Sequence, residues 1–352
     1  MESDLRNCAM IYPGLDQLKE YVAQGFATAR RHPHLPLRIY NYSVKTQYNY
    51  TAHTWPKELR DARGLILDED GLIVARGFPK FFNLSQLPDW PSGQPEFWEK
   101  ADGSLIVAFS HEGETLCATR GSFESEQAVW AATKIPVAFQ PLPGISYCLE
   151  AIYPSNRIVV DYNGREELVL LAAIDQTGAD RDDMLPQAEQ HFRKAKFHGQ
   201  LEASQLPVDQ IGEGFVLRWP DGTRAKVKLD EYVRAHHLLF ALSTRSIWEM
   251  LVAGEDVEAR YAELPEQIRK WASERAQIYR RAQAAMVLAA TAEFREAPQT
   301  SNRAEFAVWA KTRKCPGLLF KLLDGKSIED DAWKLIEPKW ERPTWIDQIE
   351  EG

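Results

Sequence analysis

The chain has 352 residues, more than one hydrophobic core usually fills, so at roughly 150 residues per domain we expect two domains. Its residues are 44% hydrophobic and 26% charged, with 20 Gly and 20 Pro, and this composition excludes a disordered, collagen-like or coiled-coil protein. The net charge of −9 is not accompanied by a basic arm, so tight nonspecific binding to duplex nucleic acid is not expected.

The sequence shows no targeting signal and its cysteines are widely spaced, and both features predict a cytoplasmic protein. The first residues lack a basic region followed by an apolar run, and no stretch approaches the ~18 apolar residues of a membrane span. The cysteines Cys8, Cys117, Cys148 and Cys315 lie far apart in the sequence, so neither a zinc site nor a disulfide framework is indicated. We expect no membrane attachment, and a monomer is favoured although the sequence leaves the oligomeric state open.

Up to residue 235 the apolar runs are short and separated by Gly, Asp and Pro turns, which is typical of strands. Three hairpins are predicted, over residues 65–75, 105–119 and 214–228. Further strands are predicted at Tyr147–Ile152, Ile158–Val160 and Leu168–Ile174, and helices at Glu124–Lys134 and Pro186–Lys196. This pattern predicts an α+β domain built on antiparallel sheet.

After about residue 236 the strand pattern ends and helical periodicity begins. One predicted helical face carries Ile268, Trp271, Ile278, Ala282, Ala285 and Ala289. Shorter helical patterns cover Gln299–Leu323 and Ile328–Ile336. We therefore predict a first domain of residues 1–240 and a small all-helical domain of residues 241–352.

Lys100 begins the segment Lys-Ala-Asp-Gly-Ser, which comes immediately before a predicted strand. A lysine at a strand edge can face a cleft. The pattern Lys-x-Asp-Gly is weak by itself because it arises by chance in many proteins, and a solvated lysine in a surface turn is the simple alternative.

Acidic and basic residues recur at the ends of other predicted strands. Glu150 lies in the strand Tyr147–Ile152, where a carboxylate among apolar neighbours is costly unless it has a partner. Glu213 comes directly before a strand, and Lys226 and Lys228 share one face of the return strand. A solvated hairpin face explains each feature singly, but it does not explain their recurrence.

A covalent nucleotidyl transfer requires a lysine nucleophile, and the sequence offers one together with three carboxylates and two further lysines. The pKa of a free lysine is about 10.4, so we expect Lys226, Lys228 and a magnesium ion to make the attacking amine partly neutral. Asp102, Glu150 and Glu213 are expected to hold the hydrated metal that offsets charge on an α-phosphate.

The order of these motifs resembles the covalent nucleotidyltransferase superfamily, and more narrowly the RNA ligase 1 family, the tRNA-repair type of T-even bacteriophages. The resemblance covers roughly residues 36–235 in unbroken order. The segments that carry it are Arg38–Tyr42, Arg63–Ile66, Phe78–Leu84, Lys100–Leu105, Arg120–Ala128 and Pro154–Val159. It implies an antiparallel-sheet nucleotidyltransferase domain of the ATP-grasp-like ligase class.

The resemblance implies that ATP is the cofactor and that Lys100 becomes adenylylated. Arg63 and Lys80 would hold the ATP phosphates or the ribose side of the site. Tyr42 and Val216 would bracket the adenine.

For the remaining predicted residues, the resemblance implies contacts with the metal and the α-phosphate. Glu150, Glu213 and Asp102 would order the water shell of Mg²⁺ or Mn²⁺. Lys226 and Lys228 would lie near the α-phosphate.

Arg120 stands where the phage-type enzyme has lysine, and the resemblance makes it a substrate-phosphate contact; arginine keeps the charge but presents a planar fork. In the C-terminal third, Glu255 or Asp256 resembles an acidic pair that would assist a second metal. The alternative for that pair is a solvated first turn of a helix.

Simple structural alternatives stay open at other positions. Arg63 could pair with Asp61 or Asp68, Tyr42 could be a buried tyrosine, and Phe81–Phe82 fits a core better than a base-stacking platform.

The predicted function is an ATP-dependent RNA ligase that joins 5′-phosphate and 3′-hydroxyl ends through lysine-AMP and RNA-adenylate intermediates, in RNA repair. Single-stranded or loop RNA, with tRNA among the candidates, is the expected partner, because its unstacked bases can be reached. The alternatives are a catalytically silent RNA-binding protein of the same fold, and another polynucleotide ligase or a capping-type nucleotidyltransferase.

Overall fold

The computed structural model describes residues 10–87, 89–205, 212–262 and 264–343. The chain divides into two compact units, the first ending at Val233 and the second running from Arg234 to Gln348. The boundary predicted from the sequence, after residue 240, lies a few residues C-terminal to the boundary in the structure.

The elements of the first unit are short, as expected for a chain with frequent turns. Its strands are β1 (Ala27–Arg31), β2 (Leu37–Tyr42), β3 (Arg63–Asp68), β4 (Ile73–Ala75), β5 (Phe82–Asn83), β6 (Glu96–Lys100), β7 (Ser104–His111), β8 (Glu114–Thr119), β9 (Ile145–Ile152), β10 (Glu167–Asp175), β11 (Arg193–Lys194), β12 (Phe197–Gln200), β13 (Gly214–Arg218) and β14 (Arg224–Lys228). Its helices are α1 (Leu15–Ala23), α2 (Val44–Asn49), α3 (Lys57–Asp61), α4 (Glu126–Lys134) and α5 (Leu185–Ala188). Helix α6 (Asp230–Phe240) includes the unit boundary.

These strands form three sheets. The first has the order β1-β2-β3-β4, the second β11-β10-β9-β7-β8, and the third β12-β6-β13-β14-β5. All neighbouring strands are antiparallel except the pairs β10/β11 and β5/β14. The predicted α+β class with antiparallel sheet is confirmed, and so are the three hairpins.

Buried clusters lie between the first and second sheets, between each of these sheets and the helices packed on it, and on one face of the third sheet. Ile39 and Ile66 of the first sheet join Val107 and Phe109 of the second in one buried cluster. In the third sheet alternate residues such as Phe97 are fully buried. Because side chains alternate along a strand, the residues between these buried positions lie on the opposite face of the third sheet.

The second unit is helical throughout its described residues, as predicted. Its helices are α7 (Thr244–Val252), α8 (Val257–Arg260), α9 (Glu266–Arg295), α10 (Arg303–Ala310), α11 (Pro316–Leu323) and α12 (Glu329–Leu335). The pattern over residues 299–323 is two helices, because Pro316 suits the first position of a new helix.

The predicted buried face of α9 is partly wrong. Ile268 is buried, but Ile278 is 48% exposed, and the other buried positions are Ala272, Ala276 and Ala290. Helix α9 contacts four other helices, α7, α8, α11 and α12, so its burial is not decided by packing against a single partner.

Two predicted elements of the first unit are also wrong. Residues 158–160 form no strand, because the backbone N–H groups of Val159 and Val160 donate to a carboxylate instead of to a neighbouring strand. The helix predicted over residues 186–196 ends at Ala188, and the chain then enters β11, which pairs with β10.

No helix in the described part of the chain is long and apolar enough to cross a membrane. Cys117, Cys148 and Cys315 are free thiols, whereas Cys8 lies outside the described residues.

Candidate active site

The register of three neighbouring strands aligns the site residues in rows on one face of the third sheet. Lys100 of β6 pairs with Gly214 of β13, and Gly214 pairs with Lys228 of β14. In the next row Val216 pairs with both Trp98 and Lys226. The period of two along each strand keeps these rows on one face.

Glu213 connects the two lysines of the first row. Its Oε2 lies 2.5 Å from Nζ of Lys100, and its Oε1 lies 2.9 Å from Nζ of Lys228. Gly214 is required beside it, because its φ is +145° and an added Cβ would lie 2.0 Å from the carbonyl oxygen of Val227. The backbone therefore approaches closely, and Glu213 can reach both amines.

Charge pairing sets the protonation of this group. Burial lowers the pKa of Lys100, but the carboxylates of Glu213 and Glu150 outweigh it, and the pKa of Lys100 is raised. Burial raises the pKa of Glu213, but Lys100 and Lys228 outweigh it, and its pKa is lowered. The prediction that nearby cations make Lys100 partly neutral is wrong for the unligated protein, because the carboxylates favour the charged amine.

Glu150 lies in β9 of the second sheet, where it is 9% exposed. Its Oε1 accepts a hydrogen bond of 3.2 Å from the backbone N–H of Gly103. An added Cβ at Gly103 would lie 2.3 Å from the carbonyl oxygen of Ala151, so only glycine permits this approach. Burial raises the pKa of Glu150 to about 7.

Asp102 is buried, and hydrogen bonds within the protein occupy its carboxylate. Oδ2 accepts from the backbone N–H groups of Val159 at 2.9 Å and Val160 at 2.7 Å. Oδ1 accepts from the hydroxyl of Tyr232 at 2.7 Å, and the backbone N–H of Asp102 donates to the hydroxyl of Tyr162 at 2.8 Å. Asp102 therefore anchors the loop that follows Lys100.

The three carboxylates are not a preformed set of direct metal ligands in the described residues, and their expected contact with a hydrated metal stays a prediction. Asp102 has no carboxylate oxygen free of hydrogen bonds, and no group of three His, Cys, Asp or Glu that could hold a metal ion occurs in the part of the chain described. Glu150 and Glu213 still fit a hydrated divalent cation, because carboxylates can bind such an ion through its waters while phosphate oxygens supply further ligands.

Lys226 and Lys80 are a second pair of cations. Burial lowers the pKa of Lys226 to about 7, assisted by the charges of Lys80, Lys100, Lys228 and Arg63. Burial likewise lowers the pKa of Lys80. Among the described residues, no carboxylate lies within ion-pair distance of either amine.

Tyr42 is buried at the end of β2 and makes no part of the cleft wall described below, so the structure supports the buried-tyrosine alternative. Its hydroxyl accepts a 3.3 Å hydrogen bond from Arg120, and Nζ of Lys80 lies 5.4 Å from its ring centre. Burial raises the pKa of Tyr42, but Lys80, Arg63 and Arg120 outweigh it, and the pKa is lowered.

Arg63 does not make the ion pairs considered for it. Asp61 pairs instead with Arg76 and Lys57, and the guanidinium of Arg63 lies 3.5 Å from the carbonyl oxygen of Phe78.

A cleft of about 500 Å³, the main cleft, brings several predicted residues together: its walls include Lys100, Arg63, Arg120, Glu150 and Val216. Its apolar side includes residues that the sequence analysis missed or assigned to the core, Trp98, Phe78, Phe81 and Leu171. The alternation that places Trp98 on the same face as Lys100, two residues away, was the signal that could have found it.

Arg218 and Arg224 also line the main cleft and were not predicted. Both are already neutralised, since Arg218 binds Glu96 at 2.6 Å and Arg224 lies 2.5 Å from Asp180.

In the second unit, Asp256 caps helix α8. Its Oδ1 accepts a 3.0 Å hydrogen bond from the backbone N–H of Ala259, as expected for the first turn of a helix. Asp256 therefore agrees with the alternative given above for this acidic pair, the first turn of a helix, rather than with a second metal site.

Sequence and structure comparisons give the following matches. The family described as RNA ligase matches residues 61–138. A "Putative RNA ligase" of Thermovibrio ammonificans is 27% identical over 227 residues, which cover 56% of this chain and 59% of the relative. A "Putative bifunctional polynucleotide kinase/RNA ligase" of Autographa californica nuclear polyhedrosis virus is 35% identical over 79 residues, or 19% of this chain and 11% of that protein. The chain thus spans less than two thirds of either relative.

Among solved structures, "Archaeal ATP-dependent RNA ligase - form 2" is 16% identical, with a TM-score of 0.48 over 74% of this chain and 75% of that chain. The similarity to known proteins therefore comes from the sequence matches, whose family segment begins beside Arg63 and includes Lys100 and Arg120. Over residues 61–138 the chain is similar to the RNA ligase family.

Proposed function

We propose that the protein is an ATP-dependent RNA ligase that joins a 5′-phosphate RNA end to a 3′-hydroxyl RNA end. The observation that supports this function best is the amine of Lys100, which lies in the wall of the main cleft and contacts Glu213 at 2.5 Å. Glu150 and Lys228 belong to the same charged group. A surface lysine in a solvated turn would have neither the cleft nor these partners.

The proposed reaction has three phosphoryl transfers. First, Nζ of Lys100, after losing a proton, attacks the α-phosphorus of ATP; a P–N bond forms, the bond to the β-phosphate oxygen breaks, and pyrophosphate leaves. An oxygen of the RNA 5′-phosphate then attacks the same phosphorus, the P–N bond breaks, and the amine takes up a proton. Finally a 3′-hydroxyl attacks the 5′-phosphorus, AMP leaves, and a phosphodiester bond forms with release of the hydroxyl proton.

The residues around Lys100 have distinct roles in this proposal. Lys228 and Lys226 share one face of β14 and would stabilise charge on the α-phosphate, whereas Arg63 and Arg120 are in the wall of the main cleft. Glu150 and Glu213 would hold a hydrated Mg²⁺ or Mn²⁺, which when bound offsets phosphate charge. Val216 and Trp98 supply an apolar surface for the base.

Covalent labelling tests the proposal. With Mg²⁺ and α-labelled ATP, label should attach to the wild-type protein and be absent from Lys100→Ala. Lys134→Ala is the matched control, because Lys134 belongs to the same unit but pairs with Glu166 outside the main cleft. An unlabelled wild-type protein, or label retained in Lys100→Ala, contradicts the proposal.

Substrate assays separate this function from its alternatives. The labelled protein should transfer AMP to 5′-phosphate RNA and then seal it to a 3′-hydroxyl end. Labelling by GTP instead would indicate a capping-type enzyme, and sealing only of nicked duplex DNA would indicate a DNA ligase. RNA binding without any labelling would indicate a silent binding protein.

We extend the proposal to RNA repair, with broken tRNA among the substrates, on the basis of the sequence resemblance alone. Sequencing RNA crosslinked in cells to Lys100→Ala should recover 5′-phosphate ends. Recovery of only intact messenger RNA would contradict a repair role.

A further inference from the structure

A second cleft lies on the β5 and β14 side of the third sheet. It has a volume of about 590 Å³, and Lys80 and Lys226 are among its lining residues. Lys226 lies one row away from Lys100 in the third sheet, because its cross-strand partner Val216 is two residues from Gly214, the partner of Lys100. The second cleft therefore extends toward the amine of Lys100 but has a different set of walls from the main cleft.

The charges of the two clefts differ. The walls of the main cleft include carboxylates as well as cations, and two of the cations, Arg218 and Arg224, pair with Glu96 and Asp180. In the second cleft no carboxylate lines the walls that the structure describes, although two partly desolvated amines are present. Burying a cation without a counterion is costly, so this arrangement is suited to an anionic ligand.

The rest of the second cleft is suited to nucleobases rather than to phosphate alone. Trp55 contacts Tyr42 at 5.0 Å and Phe82 at 5.7 Å between ring centres, and both Trp55 and Phe82 line the cleft with Tyr50. Gln47 and His53, which are exposed, supply polar groups on the same wall. Aromatic rings beside cations and amide groups are the features of sites for single-stranded nucleic acid.

We propose that the second cleft binds the 5′-phosphate-terminated segment of single-stranded RNA during its activation. This inference rests on the proposed ligase function and adds a location for its RNA substrate. The terminal phosphate binds near Lys80 and Lys226, and the following nucleotides contact the wall formed by Gln47, Tyr50 and His53.

The chemistry of the second transfer supports this location. In an in-line displacement, the attacking and leaving groups lie on opposite sides of the phosphorus. Pyrophosphate leaves opposite Lys100 in the first step, and the RNA 5′-phosphate must attack opposite Lys100 in the second. A cationic cleft beside the nucleotide site can therefore release pyrophosphate and then receive the RNA phosphate.

Negative charge introduced at Gln47 and His53, on the outer edge (rim) of the second cleft, tests the proposal. Gln47→Glu and His53→Glu place carboxylates on the rim of the second cleft, and together they should raise the dissociation constant for a 5′-phosphate RNA oligonucleotide roughly tenfold at low salt. Gln140→Glu is the matched control, since Gln140 is exposed in the same unit and lines neither cleft. An unchanged dissociation constant in the double variant overturns the proposal.

A second assay asks whether Gln47 and His53 contact RNA or pyrophosphate, by comparing AMP transfer to RNA with the reverse of the first step, in which ATP forms from pyrophosphate. Protein carrying labelled AMP is mixed with inorganic pyrophosphate or with 5′-phosphate RNA. In the double variant, AMP transfer to RNA should fall roughly tenfold while ATP formation from pyrophosphate stays within about twofold of wild type. An equal loss in both reactions assigns the rim to pyrophosphate and overturns the proposal.

Crosslinking gives a readout independent of activity. An RNA with 4-thiouridine beside its 5′-phosphate is irradiated with adenylylated protein in the presence of EDTA. Trypsin cuts after Lys45 and Lys57, so the expected crosslinked peptide is residues 46–57, which contains Gln47, Tyr50 and His53. Crosslinks exclusively to other peptides overturn the proposal, whereas failure of wild-type protein to become adenylylated would instead overturn the ligase function.

Discussion

One carboxylate, that of Glu213, binds the amine of Lys100 at 2.5 Å and the amine of Lys228 at 2.9 Å. The pairing raises the pKa of Lys100, so the proposed nucleophile is held in its protonated form in the unligated protein. Activation of the amine therefore requires this ion pair to change when the nucleotide binds. The same pairing keeps the lysine in place at the end of β6.

Glu213→Gln should shift the pH dependence of lysine adenylylation to lower pH. Removing the carboxylate removes a charge that raises the pKa of Lys100, so a larger fraction of the amine is neutral at a given pH. We expect the midpoint to fall, and the maximal rate to fall at least tenfold through lost positioning. The measurement is the single-turnover rate of labelling as a function of pH.

Glu167→Gln is the control for that profile, because Glu167 pairs with Arg193 and does not line the main cleft. A midpoint in Glu213→Gln identical to that of this control would show that Glu213 does not set the protonation of Lys100.

Glu150→Gln should stabilise the protein at neutral to alkaline pH in the absence of metal and nucleotide. Burial raises the pKa of Glu150 from 4.5 to about 7, so the folded state binds this proton more tightly than the unfolded state between those values. The contribution of Glu150 to the free energy of unfolding therefore falls as pH rises through that window, by about 3 kcal/mol in total. Glutamine keeps an acceptor for the N–H of Gly103 without the buried charge.

Urea denaturation between about pH 4.5 and pH 8 measures this difference. Glu150→Gln should be more stable than wild type at the upper end, and the two should converge at the lower end. Glu114→Gln, on an exposed strand end, controls for the loss of a carboxylate. Equal free energies of unfolding of Glu150→Gln and wild type at high pH would mean that burial of the charged Glu150 carboxylate does not destabilise the protein.

Tyr232→Phe should slow adenylylation several-fold. The hydroxyl of Tyr232 is one of three donors that hold the carboxylate of Asp102, and Asp102 anchors the loop after Lys100. Loss of the hydrogen bond should lower the free energy of unfolding by about 1–2 kcal/mol. Stability and single-turnover labelling are measured on the same preparations.

Tyr12→Phe provides the matched comparison. The hydroxyl of Tyr12 donates to buried Asp61 at 3.1 Å, and neither residue lines the main cleft. This variant should lose similar stability but label at the wild-type rate. Equal slowing in both variants would show that Tyr232 acts through general stability and does not position the loop.

Trp98→Ala should weaken ATP binding roughly tenfold, because an aromatic surface facing a base contributes on the order of 1–3 kcal/mol. Trp98 is the cross-strand neighbour of Val216, and both line the main cleft. Calorimetry in a Lys100→Ala background measures binding without turnover. Trp130→Ala, which removes a ring stacked on Tyr153 at 4.2 Å outside the main cleft, should bind ATP as its parent does.

Local pattern was enough to predict several parts of this fold. Alternation predicted that Lys226 and Lys228 share one face of a strand, and turn residues predicted the three hairpins. The same local rules failed over residues 158–160, where the backbone donates to Asp102, a residue more than fifty positions earlier in the chain. Secondary-structure propensity depends only on residues close together in the sequence. It could not predict hydrogen bonds from Val159 and Val160 to Asp102.

The sequence by itself determined which chemical groups are present and which strand faces carry them, because side-chain alternation and turn chemistry act over a few residues. Only the tertiary structure decided that Glu213 bridges Lys100 and Lys228, that Asp102 is an anchor, and that Lys226 rather than Lys100 has the lowered pKa. Protonation depends on burial and on distances between charges, and both are established when separate strands and sheets pack together.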